Sequence, residues 1–170
     1  MTPVGRQNAG LTGAVTAQAR PMFHRVLPAS PESVRNTLSD IRKRFRTNVD
    51  EDAMGRLELV LAEVMNNVTE HAAAVPEGEV MDHLPSIHLS VVMHDSGLSC
   101  AISDDGVLLP DECIKPRGLP VMDDADLPEG GFGWYLIQDL TQALCYYREG
   151  QRNFLAFSIP FADVAHEVGA

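Results

Sequence analysis

At 170 residues the chain is long enough for one domain with a real core and short for two. Its net charge of −11 argues against a nucleic-acid-binding surface, which needs clustered Lys and Arg, and fits a soluble protein, with a basic protein partner as one option. The three cysteines, Cys100, Cys113 and Cys145, form no CxxC, so neither a disulfide framework nor a zinc knuckle is indicated, and no apolar run approaches the roughly 18 residues of a membrane span.

Residues 1–20 carry Gly, Ala, Thr and Gln without a period and without the apolar core of a secretory signal. They read as a flexible arm ahead of a domain over 21–162, with 163–170 as a tail. Reduced thiols in a cytoplasmic setting are the default. Met22 to Leu27 predicts a short strand. Ser30-Pro31-Glu32 is a helix start: serine caps, proline takes the first helical position, and glutamate faces the positive end of the dipole. That helix is expected to run to about Arg46, burying Val34, Leu38, Ile41 and Phe45. Arg42, Lys43, Arg44 and Arg46 crowd its last turns, either as a solvated, dipole-complementing end or as a contact surface for an acidic partner.

Residues 48–52 link to a central helix, clearest over Leu57 to Ala72 and ending near Ala73. Leu57, Val60, Leu61, Val64 and Val68 recur at threes and fours, which makes a core-facing stripe. Glu63, Asn67 and His71 recur at fours and share an adjacent face. After a polar loop with Pro76, Gly78 and Pro85, Ile87 to Met93 and Leu98 to Ser103 form two strands joined by the turn His94-Asp95-Ser96-Gly97. Asp104-Asp105-Gly106 follows, then a long segment over about 107–129 with four prolines and several acids. Gly130-Gly131-Phe132-Gly133 opens the helix-like run Trp134 to Leu144. Cys145 to Glu149 and Asn153 to Ile159 close the chain as strands about a Gly150 turn. Helices segregated over a mostly antiparallel sheet predict an α/β (α+β) two-layer sandwich.

Taken singly, these motifs are weak. A GGxG before a helix lets the backbone approach a ligand, and a helix N-terminus favours phosphate, but a plain turn is the commoner meaning. Most Asp-Asp-Gly triplets are turns as well. His83, His88 and His94 have no ligand spacing, and no Ser-His-Asp set is present.

In combination the motifs resemble a known family. ExxxNxxxH on a helix, DxG after a strand, a variable lid and GGxG opening a helix form the pattern of the GHKL (Bergerat-fold) ATPases, which are histidine-kinase-like. Within them, PEGGFGWYLIQDL followed by GQRNFLAFSIP is similar to the anti-sigma-factor serine/threonine kinases, and the likeness spans roughly residues 22 to 160. The resemblance implies a Bergerat-type ATP-binding fold with a mostly antiparallel sheet covered on one face by helices.

It also implies roles. Asn67 would coordinate the Mg²⁺ that bridges the ATP phosphates, an amide oxygen being a suitable hard ligand. Glu63 would be the base near the attacking hydroxyl. Asp104 would accept from the exocyclic amine of adenine, Gly106 would let the base approach, and Gly131 and Gly133 would wrap the phosphates. His71 fits the pattern, but at about 1.5 Å per residue it lies about 12 Å along the axis from Glu63, so a packing role is expected. Leu108 stands where many relatives carry a second glycine, and Lys115 and Arg117 are the lid's two cations.

The implied partners are a STAS-domain anti-anti-sigma protein, phosphorylated on serine or threonine, and an RNA polymerase sigma factor. A homodimer is common in the family; nucleic acid and membrane are not implied. Two rivals stand beside the kinase: a non-catalytic ATP-binding module that sequesters a partner, and a histidine-kinase catalytic domain. The latter is disfavoured because no dimerisation helix with a phosphoacceptor histidine precedes residue 21.

Overall fold

The computed structural model describes residues 20–73, 84–106 and 132–162. The first strand, β1, spans Met22–Pro28. Helix α1, Pro31–Phe45, begins where the sequence predicts. The Ser30 side chain accepts from the Ser33 amide at 3.2 Å, and Pro31 needs no donor there. Val34, Ile41 and Phe45 are buried, and Thr37 joins them, while Leu38 is half-buried.

Helix α2, Glu51–Ala73, starts earlier than the linker reading places it. Asp50 is the reason: its carboxylate accepts from the Ala53 amide at 2.8 Å and ends the linker there. The predicted stripe Leu57, Val60, Leu61, Val64 and Val68 is buried, extended by Ala53, Met54 and Met65. Burying a Leu or Val side chain contributes roughly 1.5–3 kcal/mol, so this helix carries much of the core.

Strands β2 (Ser86–Met93) and β3 (Gly97–Asp104) form the predicted hairpin. Helix α3 spans Phe132–Leu140. Strands β4 (Gln142–Glu149) and β5 (Arg152–Pro160) follow, turning at Gly150, whose φ is 59°.

The boundary between α3 and β4 corrects the expected helix to Leu144: residues from Gln142 on are strand. Thr141 Oγ1 donates to the Ile137 carbonyl at 2.5 Å, Ala143 takes φ 54°, and the register shifts between Gln142 and Cys145. A side-chain bond into the last turn and a bulge stop a run whose apolar period would carry on.

The sheet order is β1-β2-β3-β5-β4, every pairing antiparallel. Ile87, Leu89, Val91, Leu98, Cys100, Ile102, Leu155, Phe157 and Ile159 form one buried core with residues of the three helices, among them Trp134 and Ile137 of α3. The two-layer sandwich of the sequence reading is the observed architecture. No helix among the described residues is long and apolar enough to cross a membrane.

The basic end of α1 is largely engaged within the chain. Arg42 makes a forked pair with Glu58 at 2.7 and 2.6 Å and reaches Glu51 at 3.0 Å, bonds that hold its guanidinium charged. Lys43 meets Asp40 at 3.1 Å, and Arg44 donates to the Met22 carbonyl at 3.0 Å. The Arg42 and Arg44 contacts lace α1 to α2 and β1.

Candidate functional site

Glu63 and Asn67 lie one turn apart on α2, both half-buried beside the apolar stripe. The Glu63 carboxylate packs against Gly133 in the first turn of α3. A Cβ at position 133 would collide with Glu63 Oε2 and lie 3.3 Å from its Cδ, so glycine is what admits the carboxylate there. A carboxylate at the first turn of a helix is electrostatically favoured.

Asn67 holds the one buried side-chain polar atom among the described residues with no hydrogen-bond partner, its Nδ2. Leaving such a group unpaired costs about 1–3 kcal/mol. An amide with an unpaired arm can turn its oxygen to a hard cation or its nitrogen to a phosphate oxygen. An amide oxygen suits Mg²⁺, which takes few protein oxygens and keeps several waters.

The strand end of the site is built differently. Asp104 closes β3 and is 7% exposed. Its Oδ1 accepts from the Gly106 amide at 2.9 Å and from Asn153 Nδ2 at 2.9 Å. Gly106 must be small: a Cβ would sit 2.8 Å from Asp104 Oδ1, and 3.7 Å from Val68 Cγ1 of α2. Burial pushes the Asp104 pKa up, the Asn153 and Gly106 donors pull it back, the Asp105 charge adds to the rise, and Arg148 opposes it. Asp105 itself points elsewhere: its carboxylate accepts from the Ser86 amide at 2.6 Å and ties the turn to the start of β2.

Sequence reasoning missed Asn153, Arg148 and Tyr146. Asn153 Oδ1 accepts from Arg148 Nη1 at 2.7 Å and from the Tyr146 hydroxyl at 2.9 Å, and Arg148 Nη1 also donates to the Gly106 carbonyl at 3.1 Å. Asn153 is 3% exposed. A buried polar residue at the start of an otherwise apolar strand was the available signal, and Asn153 heads Asn153 to Ile159.

Thus α2 meets both ends, through Glu63 at Gly133 and through Val68 at Gly106. Gly131, Leu108, Lys115, Arg117 and His83 lie outside the described residues, as does the side chain of His71. A separate depression of about 730 Å³, lined by Asp52, Arg56, His94 and Gln142 among others, sits beside Gly97 at the far end of β3. Eight residues of strand put it roughly 23 Å from Asp104. Arg56 there is already paired with Asp52 at 2.9 Å, so the unpaired amide and the buried carboxylate mark the better candidate.

Comparison with known proteins points to a family. A family model described as the histidine kinase-like ATPase domain matches residues 27–159. Serine-protein kinase RsbW of Staphylococcus epidermidis is 30% identical over 131 residues, covering 72% of this chain and 77% of the relative. Proteins of the same name from two strains of that species match to the same extent.

Proposed function

Because the chain belongs to the histidine kinase-like ATPase family, and within it to the anti-sigma-factor serine/threonine kinases, we propose that it is an ATP-dependent protein kinase. On this reading it transfers the γ-phosphoryl group of ATP to a serine or threonine of a STAS-type anti-anti-sigma protein. It also sequesters an RNA polymerase sigma factor in the cytoplasm. The ATP-binding unit is residues 21–162, with the lid over about 107–129.

Position supports the following roles. Asp104 Oδ1 is taken by two protein donors, so Oδ2 is the acceptor for the exocyclic amine of adenine. Guanine would set a carbonyl acceptor against that carboxylate and be rejected. Gly106 keeps the floor of the base pocket low. Gly133, in the first turn of α3, would face the phosphates, and Gly131 keeps the phosphate role that the resemblance implies. Asn67 is the residue to hold Mg²⁺, which when bound neutralises charge on the phosphates.

Glu63 orients the substrate hydroxyl and takes its proton as the new O–P bond forms and the bond to the β-phosphate breaks, leaving ADP. The protein's part in such a transfer is mostly positioning. Glu63 needs no unusual basicity for this, only its place beside Gly133.

The observation that carries the reading is the pairing of Glu63 against Gly133 with the unpaired Asn67 amide one turn along α2. The test is incubation of the chain with γ-labelled ATP, Mg²⁺ and candidate STAS proteins. Label on a STAS serine or threonine is the expected result. Tight binding of Mg²⁺-ATP with no transfer to any STAS partner would replace the kinase with the non-catalytic module.

A further inference from the structure

One rung of the sheet crosses all five strands. Leu27 pairs with Ile87, Ile87 with Asp104, Asp104 with Asn153, and Asn153 with Arg148. Leu27, Ile87, Asp104 and Asn153 are buried and Arg148, at the edge strand β4, is half-buried. The rung therefore passes from aliphatic groups to a carboxylate, then an amide, then a guanidinium.

The order of these groups fixes their polarity. A guanidinium only donates, so the Asn153 atom that meets Arg148 Nη1 at 2.7 Å is the oxygen. A carboxylate only accepts, so the atom that meets Asp104 Oδ1 at 2.9 Å is the amide nitrogen. The guanidinium adds a charged donor to the Tyr146 hydroxyl on the amide oxygen, which strengthens the orientation that the Asp104 carboxylate requires; a flipped amide would set oxygen against oxygen at Asp104. The same Nη1 donates to the Gly106 carbonyl at 3.1 Å, which holds the turn whose amide gives Asp104 its other bond. Both groups that bond Oδ1 are thus braced by one side chain. The cationic charge of Arg148 also favours the ionised form of a carboxylate that burial pushes towards protonation.

We propose that Arg148 is a positioning residue for nucleobase selection. It acts through Asn153 and Gly106 to keep Asp104 Oδ1 occupied and Oδ2 presented as an acceptor. It touches no nucleotide itself in this scheme. The inference rests on the reading of Asp104 as the adenine acceptor.

The test compares ATP with ITP, in which the 6-amino donor of adenine is replaced by a carbonyl acceptor, by titration calorimetry with Mg²⁺ on the full chain. The unaltered chain is expected to prefer ATP roughly 10- to 100-fold, the size of one hydrogen bond to a charged group. Arg148→Met is expected to weaken ATP about tenfold while leaving ITP unchanged, so the preference collapses. Arg148→Lys, which keeps the charge and one donor, recovers part of it. Tyr146→Phe removes an uncharged donor to Asn153 and is expected to keep most of the preference. Asp104→Asn abolishes the preference, and adding Arg148→Met to it lowers it no further.

Equal losses for ATP and ITP in Arg148→Met would mean general damage and would overturn the proposal, as would an unchanged preference. Should Arg148→Met fail to fold, Arg148→Lys decides: a preference reduced with ITP affinity intact supports the role, and an unaltered one refutes it. If the unaltered chain binds neither nucleotide, or both equally, the adenine reading of Asp104 fails first and this inference falls with it.

Discussion

The two ends of the site differ in how finished they are. At the strand end, Asp104, Asn153, Arg148 and both backbone groups of Gly106 are bonded to one another across three strands. At the helix end, the Asn67 amide has a buried arm with no partner, and the Glu63 carboxylate rests against a bare glycine. The difference follows from what supports each end. Antiparallel strands give fixed cross-strand neighbours, so register can set an amide donor against one oxygen of a buried carboxylate. Facing helices touch only through side chains, and groups meant for a charged ligand lack partners until the ligand arrives. The strand end is preorganised, and the helix end holds unsatisfied polar capacity, a local cost of the kind functional sites tolerate.

The largest expected effect breaks the helix end without touching the strand end. Glu63→Gln keeps the shape and hydrogen-bonding reach of the side chain but removes its ability to take a proton. On the proposed reading, transfer to a STAS serine or threonine should fall roughly 10²- to 10⁴-fold, the usual worth of a positioned base. ATP affinity measured by calorimetry should be unchanged, and the same holds for Glu63→Ala. Transfer at the parent rate in either variant removes Glu63 from the chemistry.

Next in size is Asn67→Ala. Mg²⁺-dependent ATP affinity should drop roughly 10- to 100-fold. Stability should move the other way or stay level, since the orphaned Nδ2 costs the folded chain about 1–3 kcal/mol that alanine does not. A melting temperature that falls with affinity intact would make Asn67 an ordinary structural amide.

Much of this arrangement was legible in the sequence where the determinants are local. Ser30-Pro31-Glu32 marks a helix start by cap chemistry alone, and the four-residue turn from His94 to Gly97 marks a hairpin between alternating strands. Glu63 and Asn67 share a face by helical period, so their one-turn spacing needed no structure. What escaped was set by long-range pairing. Asn153 is 49 residues from Asp104, and no spacing rule relates them; only the β3–β5 register brings them together. The end of α3 was missed because Thr141 bonds back to Ile137 while the apolar period runs on through Leu144. Likewise, two adjacent aspartates divide their work where β3 ends: Asp104, the last strand residue, bonds to Asn153, and Asp105, in the turn beyond it, bonds to Ser86.

The strand end is sharpened by pH. Asp104 has a raised pKa in the fold, so the folded chain takes up its proton more readily than the unfolded chain. As pH falls through that raised value, the carboxylate becomes a carboxyl, loses its acceptor character at Oδ2, and ATP affinity should weaken by up to about tenfold per pH unit. The stability contribution of Asp104 has the opposite slope. It is fully present below the unfolded pKa of the carboxyl and is lost as pH rises through the folded pKa, because ionisation then places a charge in a buried site. Calorimetry across acidic pH should therefore show ATP affinity and the Asp104 share of stability changing in opposite directions, and Asp104→Asn should flatten both. Parallel changes would mean that another group governs the site.

The smallest expected effect tests whether the helix end depends on the bare glycine. In Gly133→Ala the new Cβ meets the far end of a flexible side chain, so Glu63 can swing aside and the chain should fold with its melting temperature within a few degrees of the parent. Alanine is also the better helix former, which offsets part of the crowding. The displaced carboxylate should lower transfer roughly tenfold, less than the ~10²-fold that a 1 Å misplacement can cost, because the Glu63 side chain retains other rotamers within reach of the hydroxyl. The ATP-over-ITP preference, set at Asp104, should not change. A Gly133→Ala chain that transfers at the parent rate would show that Glu63 acts from a position away from α3. One that loses base preference would show that the two ends are coupled through α2 at Val68, and the division between them would have to be redrawn.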